Sequence, residues 1–332
     1  MYRTLIIGCG NIAGGFDIER PADAFPFTHA GAYARHGGFV VEACVDPDRD
    51  RRTAFQARWH VAAAAPELEA LNAVPGSFDV ISICSPTEQH AGNVEAALAL
   101  KPKAIFCEKP LAPSLADAER LALRCRDAGV LLAVNYTRRW DPAVIRLADD
   151  LRRGVYGAVR SVSGVYGKGV VHNGGHMIDL LAMLFGRLEL VAAGAPCFDF
   201  WPEDPSVPTL LVGDGGVPIA VAVNHSGDYA LFELTLVTEA GTLTMRDGGG
   251  NWFERRAEAS KVFAGYKVLD AGRVREGEYD RAMLAAITNL ADAIEGRAPL
   301  ASDAGNALYA QGLCEKIRDA AMAAYPRVKG IS

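Results

Sequence analysis

No apolar run in this 332-residue chain approaches the roughly 18 residues that a membrane-crossing helix needs, and no block of basic residues marks a nucleic-acid-binding face. Lys and Arg number 34 against 40 Asp and Glu, which gives a net charge of −6 and an isoelectric point near 5.7. Neither nucleic acid nor membrane is therefore an expected partner. Cysteine occurs seven times (Cys9, Cys44, Cys84, Cys107, Cys125, Cys197 and Cys314) without one C-x-x-C pair, which removes the common zinc and dithiol patterns. Several of these thiols lie in apolar strand-like runs, where they act as small hydrophobes suited to a reducing cytoplasm. The opening Met1–Gly8 is too short and wrongly flanked for a signal peptide. Internal repeats and low-complexity tracts are also lacking.

What is present is enough chain for two domains. Thr4–Gly8, Val40–Asp46, Val80–Cys84, Ala104–Cys107 and Val130–Asn135 read as strands that alternate with helix-like stretches, the pattern of a doubly wound parallel sheet. Ser114-Leu115-Ala116-Asp117 is a capping box, and the helix it opens is expected to end at Gly129. Beyond Asp141-Pro142 the pattern changes. Val159–Tyr166, Leu188–Ala193, Pro218–Asn224, Tyr229–Thr238 and Thr242–Arg246 are strand-like and mostly joined by turns, as in an open, mostly antiparallel sheet. Pro196–Pro208 reads as a loop. Phe232, Leu234 and Leu236 line one face at period two, and the mixed opposite face of Leu231, Glu233, Thr235 and Val237 suggests cover by a second subunit, in a homodimer or homotetramer. Helices are expected over Tyr279–Glu295 and Asp303–Ala324. The expected division is 1–140 for the α/β doubly wound domain and 141–332 for a second α/β domain, with the last helices as candidates to pack back on the first.

Gly8-Cys9-Gly10-Asn11-Ile12-Ala13 follows the first strand and matches G-x-G-x-x-G/A, in which two glycines allow a tight turn and a close backbone approach to pyrophosphate. An ordinary strand-to-loop turn would share the motif, but Asp46 at the end of the next strand is placed to bind a ribose. The spacing to Asp46 is long, as an insertion over Phe16–Thr28 ahead of a helix from His29 would explain. NAD is the expected cofactor, because Asp46 repels a 2′-phosphate and Pro47 offers it no backbone donor. Arg49, Arg51 and Arg52 keep NADP open.

Three further motifs follow strands: Ser85-Pro86-Thr87-Glu88-Gln89-His90, Cys107-Glu108-Lys109-Pro110, and Asn135-Tyr136-Thr137-Arg138-Arg139-Trp140-Asp141-Pro142. Gly174-Gly175-His176-Met177-Ile178-Asp179 comes later. In this order the set resembles the Gfo/Idh/MocA family of NAD(P)-dependent oxidoreductases. The resemblance implies a Rossmann domain plus an α/β domain with an open sheet, and a sugar, polyol or nucleotide-activated sugar as the substrate. It implies that Lys109 and His176 meet at the nicotinamide, and it allows a cis Lys109–Pro110 bond. The cofactor residues it suggests are Gly8, Gly10, Asn11, Ile12, Asp46, Ser85, Pro86, His90, Glu108, Lys109 and Arg138.

The chemistry can be argued from the residues alone. Oxidising a secondary alcohol needs a base for the hydroxyl proton and a cation for the developing alkoxide, and His176 and Lys109 are suitable types. His176 is expected in the first turn of a helix over Gly175–Phe185, whose positive end disfavours imidazolium, while Asp179 pulls the other way and orients the ring. The helix is apolar almost all round, so both would be buried polar groups, a description that also fits a core histidine. His90 could equally be a helix residue without a role, and Arg138 and Arg139 surface charges. Tyr166, Trp201, Tyr229 and Trp252 are candidates to stack on sugar rings, or to fill the core.

One departure from the family stands out: many members carry aspartate four residues before the histidine, and here that residue is His172. His172, His176 and Asp179 could make a two-histidine, one-carboxylate metal site, but no metal is expected, because the two intervening glycines need not hold the geometry. His172 and Asp179 join Lys109 and His176 as candidate catalytic residues. The leading function is hydride transfer between a nicotinamide cofactor and a sugar-like substrate. A dinucleotide-binding regulator without turnover and an NAD-assisted hydrolase or lyase are the other two readings.

Overall fold

The computed structural model describes residues 1–21 and 23–325. Two compact units divide it: Met1–Asp141 with Asp280–Leu308, and Pro142–Tyr279 with the chain from Tyr309 on.

The first unit is built on six parallel strands, β1 (Tyr2–Ile7), β2 (Phe39–Val45), β3 (Ala63–Ala65), β4 (Val80–Ile83), β5 (Ala104–Cys107) and β6 (Leu131–Val134), in the order β3-β2-β1-β4-β5-β6. This is the doubly wound Rossmann order, whose chain reversal lies beside β1 and opens a crevice at the strands' carboxyl ends. The strands are apolar on both faces because helices cover both; Val80–Ile83 and Ala104–Cys107 are buried throughout. The crossovers are α1 (His29–His36), α2 (Arg49–Trp59), α3 (Thr87–Ala99) and α4 (Leu115–Asp127). At α4 the side chain of Ser114 accepts the N–H of Asp117 at 3.2 Å and its hydroxyl donates to the Asp117 carboxylate at 2.7 Å, while Gly129 takes a left-handed φ of +68° just beyond the end. Ala118, Leu121 and Cys125 then fall on one buried stripe. The short strand β3 has no counterpart in the sequence reading, since an all-alanine run carries no period.

In the second unit, α5 (Pro142–Arg152), β7 (Val159–Tyr166), α6 (Gly174–Phe185), β8 (Glu189–Ala193), β9 (Cys197–Trp201), β10 (Asp204–Ser206), β11 (Thr209–Gly213), β12 (Val217–Val223), β13 (Glu233–Thr238), β14 (Gly241–Arg246), β15 (Asn251–Ala259), β16 (Lys267–Leu269) and β17 (Arg273–Glu276) follow in turn. A nine-stranded sheet runs β16-β15-β14-β13-β7-β12-β11-β8, with β17 also on β15; β12 and β7 are parallel and the other pairs antiparallel. Phe232, Leu234 and Leu236 are buried, whereas Val237 is exposed and Leu231, Glu233 and Thr235 are half-buried. Pro196–Pro208 is not a loop: it holds the antiparallel hairpin β9–β10, held by side chains rather than by length, because the Asp199 carboxylate accepts the Ser206 hydroxyl at 3.0 Å.

The last helices are α7 (Ala282–Ile294) and α8 (Ala304–Ala324). α7 belongs to the first unit. Its Met283, Ala286, Ile287, Leu290 and Ala291 share a core with Tyr33 and Phe39, and Asn289 accepts the Trp140 indole N–H at 2.9 Å. Among the described residues no helix is long and apolar enough to cross a membrane.

Candidate functional site

The carboxyl ends of β1 and β4 meet at Gly8, whose N–H donates to Val45 at 2.7 Å while Cys84 donates to Ile7 at 2.7 Å. Gly8 has φ +91°, and a Cβ there would come within 2.6 Å of the Cys84–Ser85 backbone, so the fold itself demands glycine. Gly10 differs. A Cβ on Gly10 would meet nothing within 4 Å, so packing does not explain the glycine, whereas a pyrophosphate lying against the backbone would. The residues present therefore fit a dinucleotide.

After Gly10 the chain makes one helical turn, with Gly14 donating to Gly10 and Phe16 to Asn11. It then leaves for the insertion. Asp17 gathers the insertion's far end by accepting from the N–H of Phe27 and from the N–H and hydroxyl of Thr28, and Thr28 caps α1 by accepting the Gly31 N–H. Asn11 is exposed and Ile12 half-buried. Asp46 is buried. One of its carboxylate oxygens accepts the Cys9 N–H at 2.8 Å and the other the Asp48 N–H at 2.9 Å, with Arg51 at 3.6 Å. The carboxylate thus fixes the glycine loop as well as standing at the end of β2.

At the end of β4, Ser85 is buried and accepts the Asn93 amide at 2.8 Å, and Pro86 precedes the first turn of α3. His90, an expected cofactor contact, is buried in α3. Both ring nitrogens are committed, lying 2.9 Å from the carbonyl oxygens of Ser85 and Pro110, so His90 clamps the β4 loop to the β5 loop. Lys109 is half-buried at the end of β5, and the Lys109–Pro110 bond is cis. Arg138 is buried in the 3-10 turn Thr137–Trp140.

Beside Lys109, Glu108 accepts from the Asn135 amide at 2.6 Å and lies 3.0 Å from Nε2 of His29. Burial alone would raise this carboxyl, but those hydrogen bonds and the charge of Lys109 bring it below its ordinary range. Sequence reasoning missed His29, Ser82 and Tyr33, which form the rest of this buried cluster. The only signal for His29 was its place at the end of the insertion.

In the second unit the helix carrying His176 starts earlier than expected. A π-turn, Gly169–Asn173, runs directly into α6, so His172 lies in that turn rather than in a loop, and His176 is in the first turn of α6. In that π-turn Asp204 accepts the N–H groups of Val171 and His172 at 2.8 and 2.9 Å. His176 is half-buried and Asp179 buried on α6. His172 packs on Trp201, with ring centroids 4.5 Å apart, and Lys168, at φ +69°, sets its ammonium 4.6 Å from the centre of Phe200. Of the four aromatics proposed to stack on sugars, Tyr166 and Trp252 are core residues, Tyr229 is exposed, and Trp201 is half-buried. Among the described residues no group of three His, Cys, Asp or Glu side chains is placed to hold a metal ion.

Comparison with known proteins agrees with this geometry. Residues 2–136 match the model of an oxidoreductase family with an NAD-binding Rossmann fold. D-apiose dehydrogenase from Paraburkholderia graminis is 29% identical over 72% of this chain, a stretch that spans 65% of that enzyme, just under two thirds. Inositol 2-dehydrogenase from Rhizobium meliloti is 29% identical over 53% of this chain and 52% of its own. Among solved structures, the 3-ketoreductase KijD10 from Actinomadura kijaniata, with NADP and TDP-benzene, aligns over 96% of this chain and 97% of its own (TM-score 0.75, 20% identity). The WlbA dehydrogenase from Bordetella pertussis, with NADH and UDP-GlcNAcA, covers 97% of each chain (TM-score 0.74, 18% identity). These two structures share the fold of both units. Within residues 2–136 the chain thus carries the NAD-binding Rossmann domain described for the Gfo/Idh/MocA oxidoreductases.

Proposed function

We propose that this protein is an NAD(P)-dependent dehydrogenase or reductase that moves a hydride to or from a hydroxyl-bearing carbon of a sugar, polyol or nucleotide-activated sugar. The observation that carries the reading is the open backbone at Gly10, after β1, together with a half-buried lysine, Lys109, at the carboxyl end of β5 in an NAD-binding domain. The relatives' names, an apiose and an inositol dehydrogenase, support the substrate class.

Gly8, Gly10, Asn11 and Ile12 would hold the pyrophosphate, Asp46 the adenosine ribose, and Ser85, Pro86, Glu108 and Arg138 the nicotinamide half. When bound, the nicotinamide supplies the hydride donor or acceptor. Lys109 stabilises the negative charge that grows on the substrate oxygen, and His176 takes the hydroxyl proton in oxidation and returns it in reduction. Asp179, one turn on, orients His176. The reading includes a cytoplasmic location, supported by seven unpaired cysteines, and a homo-oligomer joined through the open sheet, supported by the exposed Val237 on the outer face of β13.

The test is a panel of aldoses, polyols and nucleotide sugars followed by nicotinamide absorbance, on wild type and Lys109→Met. The variant keeps the chain length and removes the charge, so it should still bind NADH and lose turnover by at least about a hundredfold, each ~1.4 kcal/mol in the barrier being tenfold. Wild-type turnover in Lys109→Met would make Lys109 an ordinary surface cation.

A further inference from the structure

The insertion ends on a residue that this reading leaves unused. His29, the first residue of α1, is fully buried, with its ring on Phe106 at 4.4 Å between centroids. Its Nδ1 lies 3.1 Å from the Ser82 hydroxyl, which lies 2.7 Å from the Tyr33 hydroxyl. Its Nε2 lies 3.0 Å from the same Glu108 oxygen that accepts from Asn135.

One arrangement of protons gives every member of this chain an acceptor. Tyr33 donates to Ser82, Ser82 donates to Nδ1, and the Nε2–H of a neutral ring donates to the Glu108 carboxylate. Three donors in series then point at one anion, and each polarises the next. Burial pushes the Tyr33 hydroxyl's ionisation up, which keeps it a donor.

We propose that His29 is a positioning residue for the cofactor: the Tyr33–Ser82–His29 chain holds Glu108, the neighbour of Lys109, as an ionised acceptor for the nicotinamide ribose. The inference rests on the dinucleotide reading given above. A carboxylate in these surroundings is otherwise driven to take up a proton. The ionisable groups around Glu108 are His29 from α1, Lys109 beside it, Cys107 at the end of β5, and Cys84 after β4. Burial keeps both thiols neutral, so His29, with Asn135 and Lys109, maintains the charge. The backbone supports this role, because the N–H of His29 donates to Ile12 in the glycine loop at 3.2 Å. One residue thus ties the pyrophosphate turn to the carboxylate two strands away.

The test uses the full-length protein and two probes, NADH and AMP, titrated from pH 5 to pH 8 against wild type, His29→Leu, His29→Gln and Tyr33→Phe. His29→Leu should weaken NADH about tenfold at pH 7 and further at pH 5, because Glu108 then takes up a proton at higher pH. Its affinity for AMP, which lacks the nicotinamide ribose, should stay within about twofold. His29→Gln should recover most of the loss, since its amide can accept from Ser82 and donate to Glu108. Tyr33→Phe, which removes only the outermost donor of the chain, should weaken NADH less than His29→Leu does. Where His29→Leu does not fold, His29→Phe, which keeps a ring on Phe106, takes its place.

Unchanged NADH affinity and pH dependence in a folded His29→Leu or His29→Phe protein would overturn the proposal. So would equal losses of NADH and AMP, or a Gln variant no better than Leu. A wild-type protein that binds neither NADH nor NADPH would instead sink the dinucleotide reading itself.

Discussion

The backbone N–H of His29 donates to the carbonyl of Ile12 at 3.2 Å, and the next one, of Ala30, to Ala13 at 2.9 Å. In an unbroken helix those carbonyls would serve residues 16 and 17. The chain therefore leaves a helix after its first turn and re-enters it in register thirteen residues later, which explains the long spacing from the glycine loop to Asp46.

Because both ends of the excursion already stand at helical spacing, deletion of Phe16–Thr28 should leave the domain folded. The loss is the Thr28 cap and its Asp17 partner, about 1–2 kcal/mol, or a few degrees in Tm. Thermal melts with NADH titration check this. A deletion protein that does not fold would show that the excursion is needed to build the domain.

Asp46 serves two backbone donors and stands at the end of β2. NADH should bind more tightly than NADPH, since a 2′-phosphate would approach that carboxylate and Pro47 has no N–H to offer it. Asp46→Asn turns an amide N–H toward the N–H of Cys9 or of Asp48. It should cost about 1–3 kcal/mol of stability and narrow the NADH-to-NADPH ratio. Direct titration of both dinucleotides decides the matter, and a wild-type preference for NADPH would reverse it.

Legibility followed how local the cause was. The Ser114–Asp117 box, the Gly8–Gly10 turn and the central strands depend on neighbours in sequence or on continuous apolar runs, and all were readable. The hairpin β9–β10 was not, because prolines at 196, 202, 205 and 208 mimic a loop while the side chains of Asp199 and Ser206 do the holding. β15 and β17 were missed for a related reason: Asn251–Ala259 carries charged residues on both faces, so it has no period-two stripe. In the candidate site, Lys109 and Gly10 stood in motifs. His90's double commitment to Ser85 and Pro110, and His29's place against Glu108, arise only when separate strands come together.

Asp199 makes the second unit's stability depend on pH. Burial raises its carboxyl, but bonds from the Lys168 N–H, the Ser206 hydroxyl and Ser226 outweigh this and hold it below the ordinary range. A depressed folded-state value means that the stabilisation is present in full above about pH 4 and is lost as pH falls through the folded value. Asp199→Asn should therefore cost about 1–3 kcal/mol at pH 7 and less as the pH falls below about 4. Urea unfolding at pH 7, 5 and 3 measures the difference, and a cost independent of pH would assign the effect to packing alone.

The last prediction concerns the proposed base. If His176 moves the hydroxyl proton, His176→Ala should lower turnover by about 10²–10⁴-fold while leaving NADH affinity nearly unchanged, because the cofactor's binding groups are assigned to the first unit. His172→Asp, the commoner residue in the family, should be tolerated far better. It is not free of cost, since it gives up the contact with Trp201 and sets a second carboxylate near Asp204, which already accepts the N–H of residue 172 at 2.9 Å. In wild type the oxidation rate should rise with pH through one ionisation, and that step should be absent from the profile of His176→Ala. Metal analysis belongs in the same experiment: stoichiometric metal in wild type that is lost from the variant would favour a His172–His176–Asp179 metal site over a proton base. A full-rate His176→Ala enzyme would remove the residue from the chemistry and leave Asp179 as a buried carboxylate with a purely structural duty.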